Sequence, residues 1–364
     1  MKIIHCADVH LCSPLTKLNN TDKRKERKAE LIRAFTNMID FASKEGIKAV
    51  IIAGDLFDQS HVSATAKNAV IGSIKENPEI SFYYLKGNHD KSDFIDENDE
   101  VPSNLYLFTD EWTSYDLGEN ICITGAELNS GNAAALYTGL NLEVTKFNIV
   151  TLHGQETMTA AKDKTQVVSI RDLKNKNIDY LALGHIHTYR TDKLDSRGTW
   201  CYTGCLESRG YDETGEHGFV LLDINGRDRT YSAVKIDNSI RDVHLLKVDI
   251  SGLMTSMDIL NRIDEALREA GYSSRDMVKV ELEGSVDFEC EKNIEYIEKR
   301  IEGRFFDFKI KDCTDFHVDY DKYRFDESLK GEFIRIVEAE NDISEGDKAE
   351  IIRTGIKALM GEEY

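Results

Sequence analysis

The sequence lacks long apolar runs, paired cysteines and internal repeats. No stretch approaches the roughly 18 apolar residues that a membrane-spanning helix requires, so we expect no membrane segment. The seven cysteines are scattered and odd in number, which favours reduced thiols in a cytoplasmic protein over a disulfide framework. Cys201 and Cys205 lie close together, but no second cysteine pair supports a zinc site. The first residues are typical of a strand, so we also expect no signal peptide.

Positive charge is also scarce. The 364 residues include 46 lysines and arginines against 66 aspartates and glutamates, which gives a formal net charge of −20. A protein that binds nucleic acids usually presents a basic face, and a strongly acidic protein repels phosphates at long range. The charge does not exclude a phosphate substrate. Any DNA, however, would have to be held partly by a partner protein or by a local basic patch.

Length and composition indicate a globular protein of two or three domains, with 41% hydrophobic and 31% charged residues. Strand-like and helix-like segments alternate from Met1 to about Asp237, with helices predicted at residues 23–44 and 63–75. Strands outnumber helices in this region. The pattern therefore predicts an α/β fold of two packed sheets flanked by helices. The acidic segment at residues 90–103 predicts a surface loop.

The pattern changes after Asp237. A β-α-β-α-β succession, with helices at residues 257–270 and 290–301, predicts a small α+β domain. Two amphipathic helix-like stretches follow in the tail, the second after Ser344. This pair of helices must pack either on the protein's own body or on another protein. The sequence thus predicts three parts, at residues 1–239, 240–314 and 315–364.

Five strand-like runs end in side chains that bind metals. In chain order these ends read DVH, GD, GNHD, HG and GHIH. Active sites collect at the edge where the carboxyl ends of strands meet. The motifs therefore predict a single site whose candidate ligands are Asp8, His10, Asp55, Asn88, His153, His185 and His187. Two carboxylates, one amide and four imidazoles suit Mn²⁺, Fe²⁺ or Zn²⁺ better than Mg²⁺ or Ca²⁺, which prefer oxygen ligands.

Two such cations would activate a water and clamp a phosphoryl oxygen, which leaves the departing oxygen in need of a proton. His89 adjoins Asn88 and need not bind a cation itself, so it is the candidate catalytic residue, either as the acid that protonates the leaving oxygen or as a group that stabilises the pentavalent oxyanion. The alternative is a histidine that only hydrogen-bonds to the site. Arg209 is a candidate contact for substrate phosphate, although an exposed arginine is usually only solvated. We interpret the histidines outside the motifs as structural or surface residues: His5, His61, His217, His244 and His317.

The ordered set DVH, GDLFD, GNHD, LHG and GHIH resembles the calcineurin-like metallophosphoesterase superfamily, over roughly residues 1–237. The resemblance implies an αββα sandwich of two sheets and a dinuclear centre, most often of Mn²⁺. It further implies two ligand sets that share one bridging carboxylate. These sets are Asp8, His10, Asp55 and His187 for one cation, and Asp55, Asn88, His153 and His185 for the other.

Within the superfamily, HCADVHL followed by Ser13-Pro14, and the segment TGCLESRGYDETGEHGFVLLDI, resemble the SbcD-type DNA repair nucleases, including the YhaO branch. This resemblance implies a Mn²⁺-dependent DNA exonuclease or endonuclease that forms a homodimer through the first helices of its catalytic domain. It also implies that residues 240–314 cap the site and that the tail helices bind an SMC-like ATPase. Two alternatives stay open: a small-molecule nucleotide phosphodiesterase or phosphatase, and a non-catalytic scaffold whose metals are structural.

Overall fold

The computed structural model describes residues 1–58, 62–90, 100–129, 131–132, 135–157 and 167–360. The chain divides into two compact units, residues 1–241 and 242–364. The further division expected between residues 314 and 315 stays a prediction. Most of the acidic loop expected at residues 90–103 lies outside the described residues.

The first unit alternates strands and helices. In chain order its elements are β1 (Lys2–Cys6), α1 (Thr21–Lys44), β2 (Ala49–Ala53), α2 (Ala64–Glu76), β3 (Ser81–Leu85), β4 (Leu105–Leu107), β5 (Thr113–Gly118), β6 (Ile121–Gly125), α3 (Leu136–Gly139), β7 (Phe147–His153), β8 (Gln155–Thr157), β9 (Val167–Ser169), α4 (Ile170–Leu173), β10 (Tyr180–Gly184), β11 (Arg190–Lys193), β12 (Thr199–Tyr202), β13 (Gly218–Asn225) and β14 (Thr230–Asp237).

Two six-stranded mixed sheets form the body of this unit. Their strand orders are β14-β13-β1-β2-β3-β4 and β11-β12-β10-β7-β6-β5. Strands β1 to β4 run parallel in the first sheet, and β6, β7, β10 and β12 run parallel in the second. The carboxyl ends of four neighbouring strands in each sheet therefore meet at a common edge.

The core of the first unit has three apolar layers. Leu31 and Phe35 of α1 pack on the outer face of the first sheet. Ile51 and Phe147 belong to the cluster between the two sheets, and Leu173 of α4 packs on the outer face of the second sheet. The α/β fold class expected from the sequence, with two packed sheets flanked by helices, is confirmed.

Three strands of the two large sheets were not expected from the sequence. They are β5, β11 and β14, which each pair antiparallel with one neighbour. All four side chains of β11 are exposed, and those of β5 alternate between half-buried and exposed. Such edge strands are held by backbone hydrogen bonds, so their sequences need not carry an apolar pattern.

The second unit has five strands and five helices among the described residues. In chain order the elements are β15 (Val243–Asp249), α5 (Ser256–Ala270), β16 (Met277–Glu283), β17 (Ser285–Asp287), α6 (Ile294–Ile301), β18 (Asp307–Asp312), β19 (Asp315–His317), α7 (Tyr320–Tyr323), α8 (Leu329–Glu338) and α9 (Glu345–Met360). Strands β15, β16 and β18 form a parallel sheet in the order β15-β16-β18. The apolar face of this sheet packs against α5 and α6.

The helix expected at residues 290–301 begins at Ile294, so the predicted start was wrong by four residues. The cause is Asn293, whose side chain accepts a hydrogen bond from the N–H of Tyr296 at 2.9 Å and so caps the helix. The tail helices α8 and α9 pack on the body of the second unit through a small cluster that includes Phe288, Ile334 and Ile352. Among the described residues, no helix is long and apolar enough to cross a bilayer.

We predict that Ile51→Ala lowers the free energy of unfolding by about 2–5 kcal/mol, because it opens a cavity between the two sheets. Ile51 is in the middle of β2 and fully buried. Urea denaturation followed by circular dichroism measures the change. The control is Val234→Ala, since Val234 is 52% exposed on β14 and its truncation should cost less than about 0.5 kcal/mol. Equal losses in both variants would contradict the packing between the sheets.

Candidate metal centre

All five sequence motifs lie at or just beyond the carboxyl ends of parallel strands. Asp8 follows β1, Asp55 follows β2 and Asn88 follows β3. His153 is the last residue of β7, and His185 directly follows β10. Since β1, β2 and β3 are neighbours in one sheet and β7 and β10 in the other, both sheets contribute loops to the same edge.

The loops after β1 and β2 are joined by backbone hydrogen bonds. Asp8 donates its N–H to the carbonyl of Gly54 at 3.0 Å, and His10 donates to the carbonyl of Asp55 at 2.9 Å. Asp8, His10 and Asp55 have φ values of 51°, 49° and 53°. Positive φ is uncommon outside glycine and often marks functional sites. The backbone is thus held in a conformation that turns these side chains toward one another.

The seven candidate ligands form one connected group. His10 and His187 face each other through their Nε2 atoms at 3.1 Å. Asp55 lies between two rings, with its Oδ2 at 3.8 Å from His10 Nε2 and 3.3 Å from His153 Nε2. These contacts connect His187, His10, Asp55 and His153, with the carboxylate of Asp55 in the middle.

The other half of the group gathers around an amide oxygen. Asn88 Oδ1 lies 3.0 Å from His153 Nε2 and 3.1 Å from His185 Nδ1. The backbone N–H of His185 donates to both carboxylate oxygens of Asp8, at 2.9 and 3.0 Å. The structure therefore brings together every residue that the motifs predicted as a ligand.

Two glycines permit this close approach. A Cβ atom at Gly184 would lie 2.0 Å from the carbonyl oxygen of Ala53 and 2.8 Å from His153 Nδ1. A Cβ atom at Gly54 would lie 2.1 Å from the same ring nitrogen, and Gly54 has a φ of 93°. The glycines of the GD and GHIH motifs are required because any side chain would displace His153.

Backbone and carboxylate acceptors orient two of the imidazoles. Nδ1–H of His153 donates to the carbonyl of Ala53 at 2.9 Å, which turns Nε2 toward Asp55. Nδ1–H of His187 donates to Glu213 Oε1 at 2.8 Å, which turns its Nε2 toward His10. Metal-binding histidines in proteins are commonly held in this way, with the second ring nitrogen hydrogen-bonded to a carbonyl or carboxylate.

Burial and pairing shift the pKa values of these groups. Burial lowers the pKa of His10 and of His185 to about 4, so both rings are neutral at pH 7. Burial raises the pKa of Asp8 to about 6. Burial is the largest single effect on Asp55 and His153 and opposes their ionisation, but their mutual hydrogen bond, their charge attraction and backbone hydrogen bonds together outweigh it. These interactions hold the pKa of Asp55 well below its usual range and raise that of His153 to about 9. A cation that binds His153 must therefore displace its proton.

The donor chemistry fits two divalent transition metals. Three groups of side chains at this site each have possible ligand atoms within 4.8 Å of one another: Asp8-His10-His187, Asp8-Asp55-His153 and His10-Asp58-His89. Oxygen and imidazole donors in this proportion suit Mn²⁺, Fe²⁺ or Zn²⁺. The assignment of each residue to one cation stays a prediction.

His89 lies beside this group with a half-exposed ring. Its backbone N–H donates to Asp55 Oδ1 at 2.8 Å, and its Nδ1 lies 2.5 Å from Asp58 Oδ1. The hydrogen bond to Asp58 raises the pKa of His89. Nδ1 is therefore engaged within the protein, and Nε2 is the ring nitrogen left to meet a substrate.

Sequence reasoning assigned no role to two acidic residues of the site, Asp58 and Glu213. Asp58 contacts His89 and also accepts from Arg209 Nη1 at 3.2 Å. Glu213 accepts from His187 and from Arg209 Nη2, the latter at 2.7 Å. The sequence signal for Asp58 is its position at the end of the GDLFD motif, and the signal for Glu213 is its position in the RGYDETGEHG segment. Arg209 is thus placed at the site with its guanidinium between these two carboxylates.

Among the described histidines outside the motifs, the two in the first unit, His5 and His217, are not part of this group. His5 is buried beside the hydroxyl of Tyr180 at 3.0 Å, and His217 is buried beside Cys205 Sγ at 3.2 Å. His244 and His317 belong to the second unit. His61 lies outside the described residues.

Fold and site together define a phosphoesterase with a candidate dinuclear centre. Residues 1–189 match the family described as calcineurin-like phosphoesterase. Because the match covers more than half of the chain, the protein belongs to this family. The family resemblance drawn from the motifs is confirmed.

Curated relatives share this domain at low identity. The uncharacterized metallophosphoesterase YhaO of Bacillus subtilis is 29% identical over 244 residues, which cover 64% of this chain and 59% of YhaO. The DNA double-strand break repair protein Mre11 of Sulfolobus acidocaldarius is 24% identical over 302 residues, 79% of this chain and 76% of Mre11. A subunit of the SbcCD nuclease of Rhodobacter capsulatus is 28% identical over 109 residues, 29% of this chain and 25% of that relative.

Among solved structures, a dimetal phosphatase from Danio rerio matches with a TM-score of 0.40 and 12% sequence identity. The match covers 65% of this chain and 98% of that protein.

We predict that Asp55→Ala removes at least one of two bound cations, because this carboxylate lies between the two predicted ligand sets. Elemental analysis of the purified protein after loading with Mn²⁺ measures the metal content. Asp40→Ala is the matched control, since Asp40 is an exposed carboxylate on α1. Wild-type metal content in a folded Asp55→Ala protein would overturn the assignment.

Proposed function

We propose that the protein is a dinuclear-metal phosphodiesterase that cleaves DNA. The observation that carries this proposal is the meeting of the seven candidate ligands with the His89–Asp58 pair at one edge of both sheets. A metal cluster alone fits a structural role, whereas an adjacent, half-exposed imidazole with a carboxylate partner fits proton transfer.

Two sets of side chains would hold the cations. Asp8, His10 and His187 would hold one cation, and Asn88, His153 and His185 the other, with Asp55 shared between them. When bound, the cations would supply an activated water and a clamp on the phosphoryl oxygens. We propose Mn²⁺ as the native metal, and Fe²⁺ or Zn²⁺ would fit the same donors.

His89 would supply the proton that the departing oxygen requires. Its Nδ1 is engaged by Asp58 at 2.5 Å, so Nε2 would deliver the proton. Because the contact with Asp58 raises the pKa of the ring, the proton is more readily present near neutral pH. Asp58 would also stabilise the charged imidazolium until the proton is transferred.

The start of α1 supports DNA as the substrate despite the net charge of −20. Lys23, Arg24, Lys25 and Lys28 lie in its first eight residues, and Lys25 and Lys28 are exposed. The helix directly follows the loop that carries His10, so these basic side chains lie close in sequence to the candidate metal ligands. A local cluster of this kind can contact backbone phosphates although the whole protein is acidic.

The second candidate is a phosphodiesterase or phosphatase that acts on small nucleotides. The excess of acidic residues favours it, since a small substrate has fewer phosphates to be repelled. Substrate size separates the two functions. A nuclease should cleave polymeric DNA and simple diesters, whereas a nucleotide phosphatase should prefer monoesters.

The tail helices are the proposed contact with an SMC-like ATPase. Their inner faces pack on the second unit, while Phe325, Leu329 and Ile336 are 89%, 65% and 58% exposed. Several large apolar side chains exposed in one short segment are typical of a protein interaction site. The relative from Rhodobacter capsulatus is by name one part of a larger enzyme, the SbcCD nuclease. A homodimer through α1 and α2 is part of the same proposal.

We predict that the protein loaded with Mn²⁺ degrades end-labelled duplex or single-stranded DNA, and that His89→Ala retains its metals but slows cleavage by roughly 10²–10⁴-fold. Gel electrophoresis measures cleavage, and elemental analysis measures the metals. His317→Ala is the control, since His317 is exposed in the second unit. Turnover of nucleotides without DNA cleavage would favour the second candidate. An unchanged rate in His89→Ala would remove this residue from the mechanism.

We predict that Phe325→Glu combined with Ile336→Glu abolishes capture of an SMC-like ATPase, because two charges would enter the apolar contact, and that cleavage of small diesters is spared. Pull-down with the full-length variant tests this prediction. Val144→Glu serves as the control, since Val144 is an equally exposed apolar residue of the first unit at 58%. Capture at the wild-type level by the double variant would contradict docking through the tail.

A further inference from the structure

An unbroken chain of contacts joins the candidate metal ligand His187 to the candidate acid His89. His187 donates from Nδ1 to Glu213 Oε1 at 2.8 Å, and Arg209 donates to the same oxygen from Nη2 at 2.7 Å. Arg209 Nη1 donates to Asp58 Oδ2 at 3.2 Å, and Asp58 Oδ1 lies 2.5 Å from His89 Nδ1. Arg209 supplies the permanent positive charge in this chain of contacts.

The guanidinium of Arg209 is already committed to neighbouring side chains, since Nη2 also lies 3.0 Å from His187 Nδ1. Its Nε also donates to Glu213 Oε1, at 3.1 Å, and its backbone N–H donates to Glu213 Oε2 at 2.6 Å. The side chain is only 19% exposed. An arginine that reached for a substrate phosphate would have to leave these partners, and a buried carboxylate without its cation is costly.

Buried charged side chains hold the backbone that precedes Arg209 in place. Arg27 Nη2 donates to the carbonyl of Ser208 at 2.5 Å and to Glu207 Oε1 at 2.7 Å. Glu207 Oε2 in turn accepts the N–H of Ile240 at 2.6 Å. Arg27, Glu207 and Ser208 are each at most 1% exposed. The residue that bears the guanidinium therefore has little freedom to move.

We propose that Arg209 is a positioning residue that orients Asp58, and through it His89, relative to the metal ligand His187. This inference rests on the proposed function. The two oxygens of Asp58 face different sides, since Oδ2 accepts from Arg209 and Oδ1 faces His89 Nδ1 at 2.5 Å and His10 Nδ1 at 3.7 Å. The planar guanidinium can bridge two carboxylates in a fixed geometry, which a lysine cannot reproduce. The result is a fixed direction for His89 Nε2.

The orientation of His89 matters at the moment when the leaving group departs. The oxygen of the attacking water forms a bond to phosphorus and releases one of its protons to the solvent, while the bond between phosphorus and the leaving oxygen breaks. The leaving oxygen keeps the electron pair of that bond and takes the proton from His89 Nε2. A misdirected ring slows this step for poor leaving groups, and it has little effect on leaving groups that depart as stable anions.

We predict that Arg209→Met lowers kcat roughly 10- to 100-fold on a phenyl phosphodiester, with KM little changed and a much smaller loss on a dinitrophenyl diester. Arg209→Lys should recover only part of the rate. Steady-state kinetics of the metal-loaded protein measure both constants. A raised KM with equal losses on both esters would indicate a phosphate contact and overturn the inference.

Arg197→Met is the matched control. Arg197 is also 19% exposed and pairs with the carboxylate of Asp179 at 2.9 and 2.7 Å, near the start of β10 and away from its carboxyl end. Its removal should leave both esters unaffected.

A second measurement does not depend on activity. Ring-nitrogen NMR of the zinc-loaded protein, with the His89 signals assigned by their loss in His89→Ala, reports the environment of Nδ1. Arg209→Met should shift these signals, and Arg197→Met should not. Unchanged His89 signals in Arg209→Met would overturn the positioning role. A protein that shows the shift but hydrolyses no diester would refute the proposed function alone.

Discussion

The contacts of Asp55 hold the loops of the site together. Its backbone carbonyl accepts the N–H of His10 at 2.9 Å, and its Oδ1 accepts the N–H of His89 at 2.8 Å. Its Oδ2 lies 3.3 Å from His153 Nε2. One residue therefore contacts the loops after β1 and β3 and the end of β7. These contacts offset the cost of a positive φ at a residue other than glycine. They also place the carboxylate between the two predicted ligand sets.

A second buried carboxylate, that of Asp90, holds two of those loops together. Asp90 accepts three backbone hydrogen bonds, from Leu56 at 3.2 Å, Phe57 at 2.8 Å and Gly87 at 2.9 Å. Burial raises the pKa of Asp90 to about 6. The loop after β2 is thus tied to the loop after β3 through side chain and backbone. Functional groups on loops need such support, since small displacements of reacting groups reduce catalysis.

The chain combines membership in a hydrolytic family with a strongly acidic composition, at a formal net charge of −20. Membership in the calcineurin-like phosphoesterase family rests on residues 1–189, which carry all seven candidate ligands and His89. The relative from Sulfolobus acidocaldarius, which is named for DNA repair, is 24% identical. An acidic protein can still approach DNA when its cations are concentrated, as at the start of α1, or when a partner supplies them. The apolar side chains exposed near the tail helices are the surface proposed for such a partner.

The order of elements and motifs was sufficient to predict the fold class. It also predicted that the seven candidate ligands meet at one site. The physical reason is that parallel strands present their carboxyl ends at a common edge, so a residue's place at a strand end predicts its neighbours. Apolar periodicity predicted α1 and α2 to within two residues of their observed starts. It could not predict the edge strand β11, whose side chains are all exposed.

Only the tertiary structure decided the partners of the remaining site residues. Asp58 and Arg209 are 151 positions apart in the sequence. The residues around each of them do not indicate that the two side chains form a pair. A single carboxylate can be a solvated surface group, a ligand or a partner of a histidine, and the sequence around it is compatible with all three. Which role it takes depends on the loop that folds opposite to it. The sequence by itself therefore determined which strand-end residues reach the site edge, and the folded chain brought Asp58 and Glu213 to the same edge and determined how they connect to Arg209.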